Sequence, residues 1–186
     1  MGRRITYDTP LPFAEVIACL DQEINKAGGG PEVFHLLSTV QTRAELEDGI
    51  NTLTAGRQFV YVRALSMLAH VTLTCRALLG TAYHKWLNAY NGTTDTPQTY
   101  GYVLGNPLIA QTMLRHDLTV VIHVPPKIVI VEKADGSGTR VTYDNPASVI
   151  AVPTASGERV DPELAEAAVV LSGKFEALIQ RITKAD

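Results

Sequence analysis

The sequence predicts an α+β domain, and three observations carry that expectation. A run of β-formers, Arg4-Ile5-Thr6-Tyr7, leads into Phe13, Val16, Ile17, Leu20 and Ile24, whose three- and four-residue spacing is that of an amphipathic helix. Asp135-Gly136-Ser137-Gly138 separates the β-rich run 127–131 from the run 139–143, the pattern of an antiparallel hairpin. Asp161-Pro162-Glu163 then supplies a cap, a first-turn proline and an early acid ahead of one apolar stripe, Leu164, Ala168, Leu171, Phe175, Leu178 and Ile182, so a long helix closes the chain and packs on the sheet. At 186 residues, against roughly 150 per domain, one core is the simplest organisation.

The intervening elements follow in order. Pro12 suits the first turn of the opening helix, and Gly28-Gly29-Gly30 is expected to end it. Residues 31–55 read as helical, because Thr42 and Glu45 form a capping box ahead of Leu46, Ile50 and Leu53. Phe59-Val60-Tyr61-Val62 is a short strand bounded by Gly56. In residues 66–90 the positions Val71, Cys75, Leu78, Ala82 and Trp86 keep helical spacing while 70–74 alternate like a strand; helix is the expectation. A polar turn-rich loop covers 91–97. Then come a strand at 100–104, a short helix at 107–114 and a β-branched strand at 118–124. Pro125-Pro126 cannot donate to a ladder, so the chain must bend there or begin a new strand at Lys127.

Composition excludes several function classes. Nineteen acids against sixteen bases give a net charge of −3 and a pI near 5.9, which lacks the broad basic field of a nucleic-acid binder. The opening MGRRITYDTPLPF has no apolar signal core, and a cytoplasmic location is expected. Between Arg63 and Arg76 the longest weakly charged stretch is 12 residues, short of the ~20 that a spanning helix needs, so no membrane span is expected. Cys19 and Cys75 are too few and too far apart for a zinc cluster or a redox pair and read as buried free thiols. His35, His70 and His84 have no metal-ligand spacing, and neither GxSxG, a phosphate loop nor a strand-linked GxGxxG occurs. No metal and no cofactor are therefore expected.

Several moderately specific motifs occur in a meaningful order: Gly105-Asn106-Pro107 turning into a short helix, a long strand, the Asp135-Gly136 hairpin, and Thr142-Tyr143-Asp144-Asn145-Pro146. With the opening strand and the Leu11-Pro12-Phe13 helix start, they make the chain resemble the domain of unknown function family 302 (DUF302). The resemblance implies an antiparallel sheet covered by two main helices in the order β-α-β-β-β-β-α, often paired as a dimer, with no settled activity. Against the compact form of that family, residues 31–97 of this single 186-residue domain read as an enlarged helical insertion.

The candidate site residues follow from their chemistry. Asn106 can bond neighbouring backbone through its side chain, with Gly105 free to take a positive φ; a purely structural turn is the plainer alternative to Asn106 facing a ligand. His116 ends the short helix beside Asp117, an acid that could orient it for proton transfer. His123, sharing a strand face with Val121 and Thr119, reads either as a second acid-base group or as a satisfied core histidine. Excess apolar helix suggests a cavity between sheet and insertion, lined by Tyr102, Asn106, His116, His123 and Tyr143 and taking a small organic ligand. His116 and His123 are the candidate catalytic groups, for isomerisation, cyclisation or elimination; Tyr102, Asn106 and Tyr143 are the candidate ligand contacts. The competing expectation is a non-catalytic homodimeric interaction module.

Overall fold

The computed structural model describes residues 2–63, 81–153 and 159–185. Strands β1 (Arg4–Thr9), β2 (Val60–Arg63), β3 (Thr81–Ala82), β4 (Thr99–Gly105), β5 (Lys127–Glu132) and β6 (Thr139–Asp144) form one sheet in the order β1-β6-β5-β4-β2, with β3 pairing β4 opposite Gly101 and Tyr100. Every pairing is antiparallel. The hairpin joining β5 to β6 turns on Gly136 and Gly138, at φ of 69° and 126°, where a side chain would be strained.

Strand alternation sends Tyr102 and Leu104, Ile128 and Ile130, and Val141 and Tyr143 to one buried face. The helices α1 (Phe13–Glu23) and α7 (Pro162–Thr183) pack there, burying Val16 and Leu20 from α1 and Ala168, Leu171, Phe175, Leu178, Ile179 and Ile182 from α7. Each large aliphatic or aromatic side chain so removed from water stabilises the fold by about 1.5–3 kcal/mol before the cost of ordering it. On the opposite face, β1 and β6 carry polar residues directly across from one another. Arg4 Nε lies 3.4 Å from Asp144 Oδ1, Thr6 and Thr142 hydroxyls are 3.4 Å apart, and Arg140 donates to both oxygens of Asp8 at 2.8 and 3.0 Å. The Arg140 guanidinium holds the Asp8 carboxyl below the usual carboxylate range.

After α1 the chain makes a 3-10 turn at Lys26–Gly28 and enters α2 (Pro31–Thr39) and α3 (Arg43–Thr54), the latter started by the expected capping box between Thr42 and Glu45. The glycine triplet does more than stop a helix. Gly30 N donates to Tyr61 O at 2.8 Å, Tyr61 N donates to Ile24 O at 2.9 Å, and a Cβ on Gly29 would collide with the Tyr61 carbonyl oxygen. Glycine is what lets this segment lie against β2.

Three expectations are corrected. Residues 118–124 are not a strand: Leu118–Ile122 form a 3-10 helix in which Val120 is buried while Leu118, Val121 and Ile122 are exposed. The Asp117 carboxylate accepts from Thr119 N at 2.8 Å and from its hydroxyl at 2.7 Å, turning the chain, and β4 and β6 already occupy both edges of β5. Residues 66–90 do not form one helix through to Tyr90. Thr81 and Ala82 pair with β4, and α4 (Tyr83–Asn91) covers only the last part, its Tyr83 ring lying over Gly101. The remainder of that expectation, with His70 and Cys75, lies outside the described residues. Gly105 is not among the glycines at positive φ; its lack of a Cβ instead admits Pro125, whose own Cβ would lie 2.8 Å from one there.

The stretch 31–97 thus contributes α2, α3 and α4 together with the short strands β2 and β3, among the described residues. Cys19 is free and half-buried rather than buried. The helices α5 (Pro107–Leu114) and α6 (Pro146–Ile150) complete the fold, α6 being tied to α7 by Ala147 N donating to Ser172 Oγ at 2.9 Å.

Candidate functional site

An apolar cavity lies beyond one end of the sheet, where α2 faces α5. On α2, Val33, Phe34 and Leu37 share a face at helical spacing. Phe59 and Val62 come from the β2 segment, and Ile109, Ala110, Met113 and Leu114 from α5. Val124-Pro125-Pro126 and Leu171 of α7 close the remaining sides around about 290 Å³. Phe34 and Leu37, 48% and 45% exposed, stand where α2 meets solvent.

Among the described residues, the only polar side chains on this lining are Asn106 and Gln111. Both are engaged locally. Asn106 caps α5, its Oδ1 accepting from Leu108 N at 2.9 Å and its Nδ2 donating to Gln58 O at 3.1 Å. Gln111 Nε2 donates to Leu108 O at 3.2 Å. None of the described lining residues carries an ionisable side chain. This wall can exclude water and hold apolar surface, and it has no group with which to move a proton.

The five residues expected around one cavity are not brought together. Asn106 alone reaches this one. Tyr102 is buried in the core, its hydroxyl accepting from Lys26 Nζ at 3.2 Å, and burial beside the Asp21 carboxylate raises its pKa. Tyr143 is buried with its ring centroid 5.0 Å from that of Phe175, and burial pushes its phenol up to about 12. His123, exposed and capping the 3-10 helix instead of sitting in a strand, lines a smaller depression of about 150 Å³ with Lys127, Asp144 and Pro146.

His116 has a different orienting acid from the one expected. Asp117 is occupied with Thr119, while His116 Nδ1 lies 2.9 Å from Asp161 Oδ2. Arg115 Nε donates to His116 Nε2 at 3.1 Å, which makes Nδ1 the protonated nitrogen and Asp161 the acceptor. Asp161 is also the cap of α7, accepting from Glu163 N at 2.8 Å, and that bond, with His116, holds its carboxyl below the usual range. The imidazole is 13% exposed and fastens the end of α5 to the start of α7. Sequence spacing had marked Asp161 as a cap; its contact with a residue 45 positions away has no local signal.

A second cluster escaped the sequence reading. Lys26 Nζ lies 2.6 Å from Asp21 Oδ2 and 5.0 Å from the Tyr102 ring centroid, and Asp21 Oδ1 is buried without a hydrogen-bond partner. The sequence reading placed Tyr102 among the ligand contacts, but nothing in the sequence couples it to α1. Among the described residues no group of three or more His, Cys, Asp or Glu is placed to hold a metal ion, and no helix is long and apolar enough to cross a membrane.

The family model described as Domain of unknown function DUF302 matches residues 83–182, more than half of the chain. The chain belongs to the DUF302 family. A solved structure, the crystal structure of an uncharacterized conserved DUF302 protein from Bacillus stearothermophilus, is similar at a TM-score of 0.57 and 16% identity, covering 96% of each chain. At that identity the likeness is one of fold. No curated protein matches the chain. The residues matched to DUF302 include Asn106 with the whole of α5, the β5–β6 hairpin and nearly all of α7; the α2 wall of the cavity lies before them.

Proposed function

We propose that this DUF302 protein binds a small, uncharged, largely apolar organic molecule in the cavity between α2 and α5. The observation that carries the reading is a concave space of about 290 Å³ walled by apolar side chains of several separate elements and open beside Phe34 and Leu37. Ligand sites are commonly of this kind, with apolar walls and few polar groups, and this volume sits at their lower limit of roughly 300 Å³. Acid-base catalysis forms no part of this reading, because no lining side chain among the described residues is ionisable and both candidate histidines lie elsewhere.

The test uses N-phenyl-1-naphthylamine, an uncharged aromatic whose fluorescence rises in apolar surroundings. The expected result is saturable 1:1 binding by the unaltered protein, weakened at least about tenfold in Ala110→Leu, whose added side chain occupies the cavity. Unchanged circular dichroism of the variant would show that the loss is one of space. No saturable binding by the unaltered protein, or equal binding by Ala110→Leu, overturns the reading.

A further inference from the structure

At the end of β4 and β5 away from the apolar cavity, a further depression of about 360 Å³ lies between α4, the residues leading into β4 and the β5–β6 hairpin. It shares no lining residue with the apolar cavity, and polar side chains dominate its walls. Four residues of backbone organise it. Thr96 N donates to Asn88 Oδ1 at 3.2 Å, Gln98 N to Glu132 Oε2 at 3.4 Å and Thr99 N to His84 Nδ1 at 3.0 Å, while Pro97 has no N–H to give. Three side chains from two elements are thus each held at one end by the main chain.

Their other ends are left over. Because His84 Nδ1 accepts, the neutral ring carries its proton on Nε2, and a ring centroid 5.8 Å from that of Tyr100 fixes the imidazole further. Asn88 Oδ1 also accepts from the Thr93 hydroxyl at 3.1 Å, so the amide is oriented with Nδ2 as a free donor. Glu132 keeps Oε1 as an acceptor. None of these three atoms has a partner among the described residues. His84 and Asn88 stand one turn apart on α4, which puts their two donors on the same helical face.

Charge selects the ligand. Asp95 and Lys133 also line the space, and neither they nor Glu132 forms an ion pair among the described residues; Lys133, whose field reaches Asp8 and Asp135, pairs with neither. Uncompensated charge of both signs in one depression suits a ligand that itself carries both. A neutral polyol would leave those charges unanswered. Donors and acceptors already set by the backbone lose little freedom when a ligand arrives.

We propose that this depression binds a zwitterionic small molecule of the amino-acid type, its ammonium on Glu132 and Asp95 and its carboxylate on the donors of His84, Asn88 and Lys133. The site is separate from the apolar cavity, so either reading stands if the other fails.

Ligand-detected NMR with the common L-amino acids in pools, followed by titration of any that binds, tests it. The unaltered protein is expected to bind at least one of them saturably, and the N-acetyl derivative of that amino acid, which lacks the ammonium, at least about tenfold more weakly. Glu132→Gln keeps an oxygen for the Gln98 N–H while removing the charge, and Asn88→Asp keeps the oxygen for Thr93 and Thr96 while replacing the donor by an anion. Each is expected to weaken binding at least about tenfold with circular dichroism unchanged. No binding by any member of the pools, binding of xylitol in their place, or a titration indifferent to N-acetylation or to either substitution overturns the proposal. If a variant does not fold, amide shifts of the unaltered protein decide: those of Thr96, Gln98, Thr99 and Lys133 move on titration if this is the site, and shifts confined to other residues overturn it.

Discussion

Beneath α7 the rings of Phe59, Phe175 and Tyr143 meet with neighbouring centroids 5.6 and 5.0 Å apart, whereas between α2 and α5 residues of the same apolar type leave about 290 Å³ unfilled. Phe59 belongs to both neighbourhoods, packing edge-on against Phe175 and walling the cavity. Hydrophobicity is therefore not what separates solid core from open pocket. Under α7, side chains from a long regular stripe join alternating residues of β4, β5 and β6 in one buried cluster. At the cavity the walls come from short, differently directed pieces, and the residues facing inward include Gly105, Ala110, Pro125 and Pro126, which are too small or too rigid to reach across.

The contrast can be broken most strongly at Phe175. Phe175→Ala removes a fully buried ring from the solid region and is expected to cost about 3–5 kcal/mol in denaturant-induced unfolding. A loss well under 2 kcal/mol would mean that this region relaxes as the cavity region does. One substitution made in both places sharpens the comparison further. Ala168→Leu forces extra volume into a fully buried site under α7 and is expected to destabilise by about 1–3 kcal/mol, while Ala110→Leu enters open space and changes stability by less than about 1 kcal/mol. Equal costs from the same unfolding measurement would refute the distinction.

The smallest effect concerns how α5 and α7, which contribute to both neighbourhoods, are joined. The Asp161 carboxyl has a lowered pKa in the folded protein, chiefly through the Glu163 N–H and further through His116. Its stabilising contribution is therefore present above the ordinary carboxylate pKa of about 3.9 and is lost as pH falls through the lowered folded value. Asp161→Ala should lower the melting temperature near neutral pH, and the difference from the unaltered protein should close in strongly acidic solution. A difference that stays constant or grows on acidification contradicts the assignment.

Much of the fold was legible because its signals are local. The Thr42–Glu45 capping box, the Asp161-Pro162 helix start and the Asp135-Gly136 hairpin act within a few residues, and each stands where the chain placed it. The failures have equally local causes. Residues 118–124 have strand-forming side chains, but Asp117 captures the Thr119 amide and both edges of the neighbouring β5 are already taken by β4 and β6. α6, at five residues, is too short for its periodicity to register. The candidate site was the least legible part. Asn106 was found because a capping asparagine before proline has a recognisable pattern, yet its expected companions went to the core, to an exposed turn and to the junction of two helices.

By itself the sequence determined most of the helices and strands, where most of those begin, and the DUF302 motifs that mark the fold, because capping, turn chemistry and apolar period depend on residues close along the chain. Tertiary structure alone decided that His116 answers to Asp161 and not to Asp117, and that glycines 29 and 105 serve close approach. It also decided that the space beside α2 stays open while the space beneath α7 is filled. Those outcomes depend on the separation and direction of elements distant in sequence, and no spacing of residues within one element encodes them.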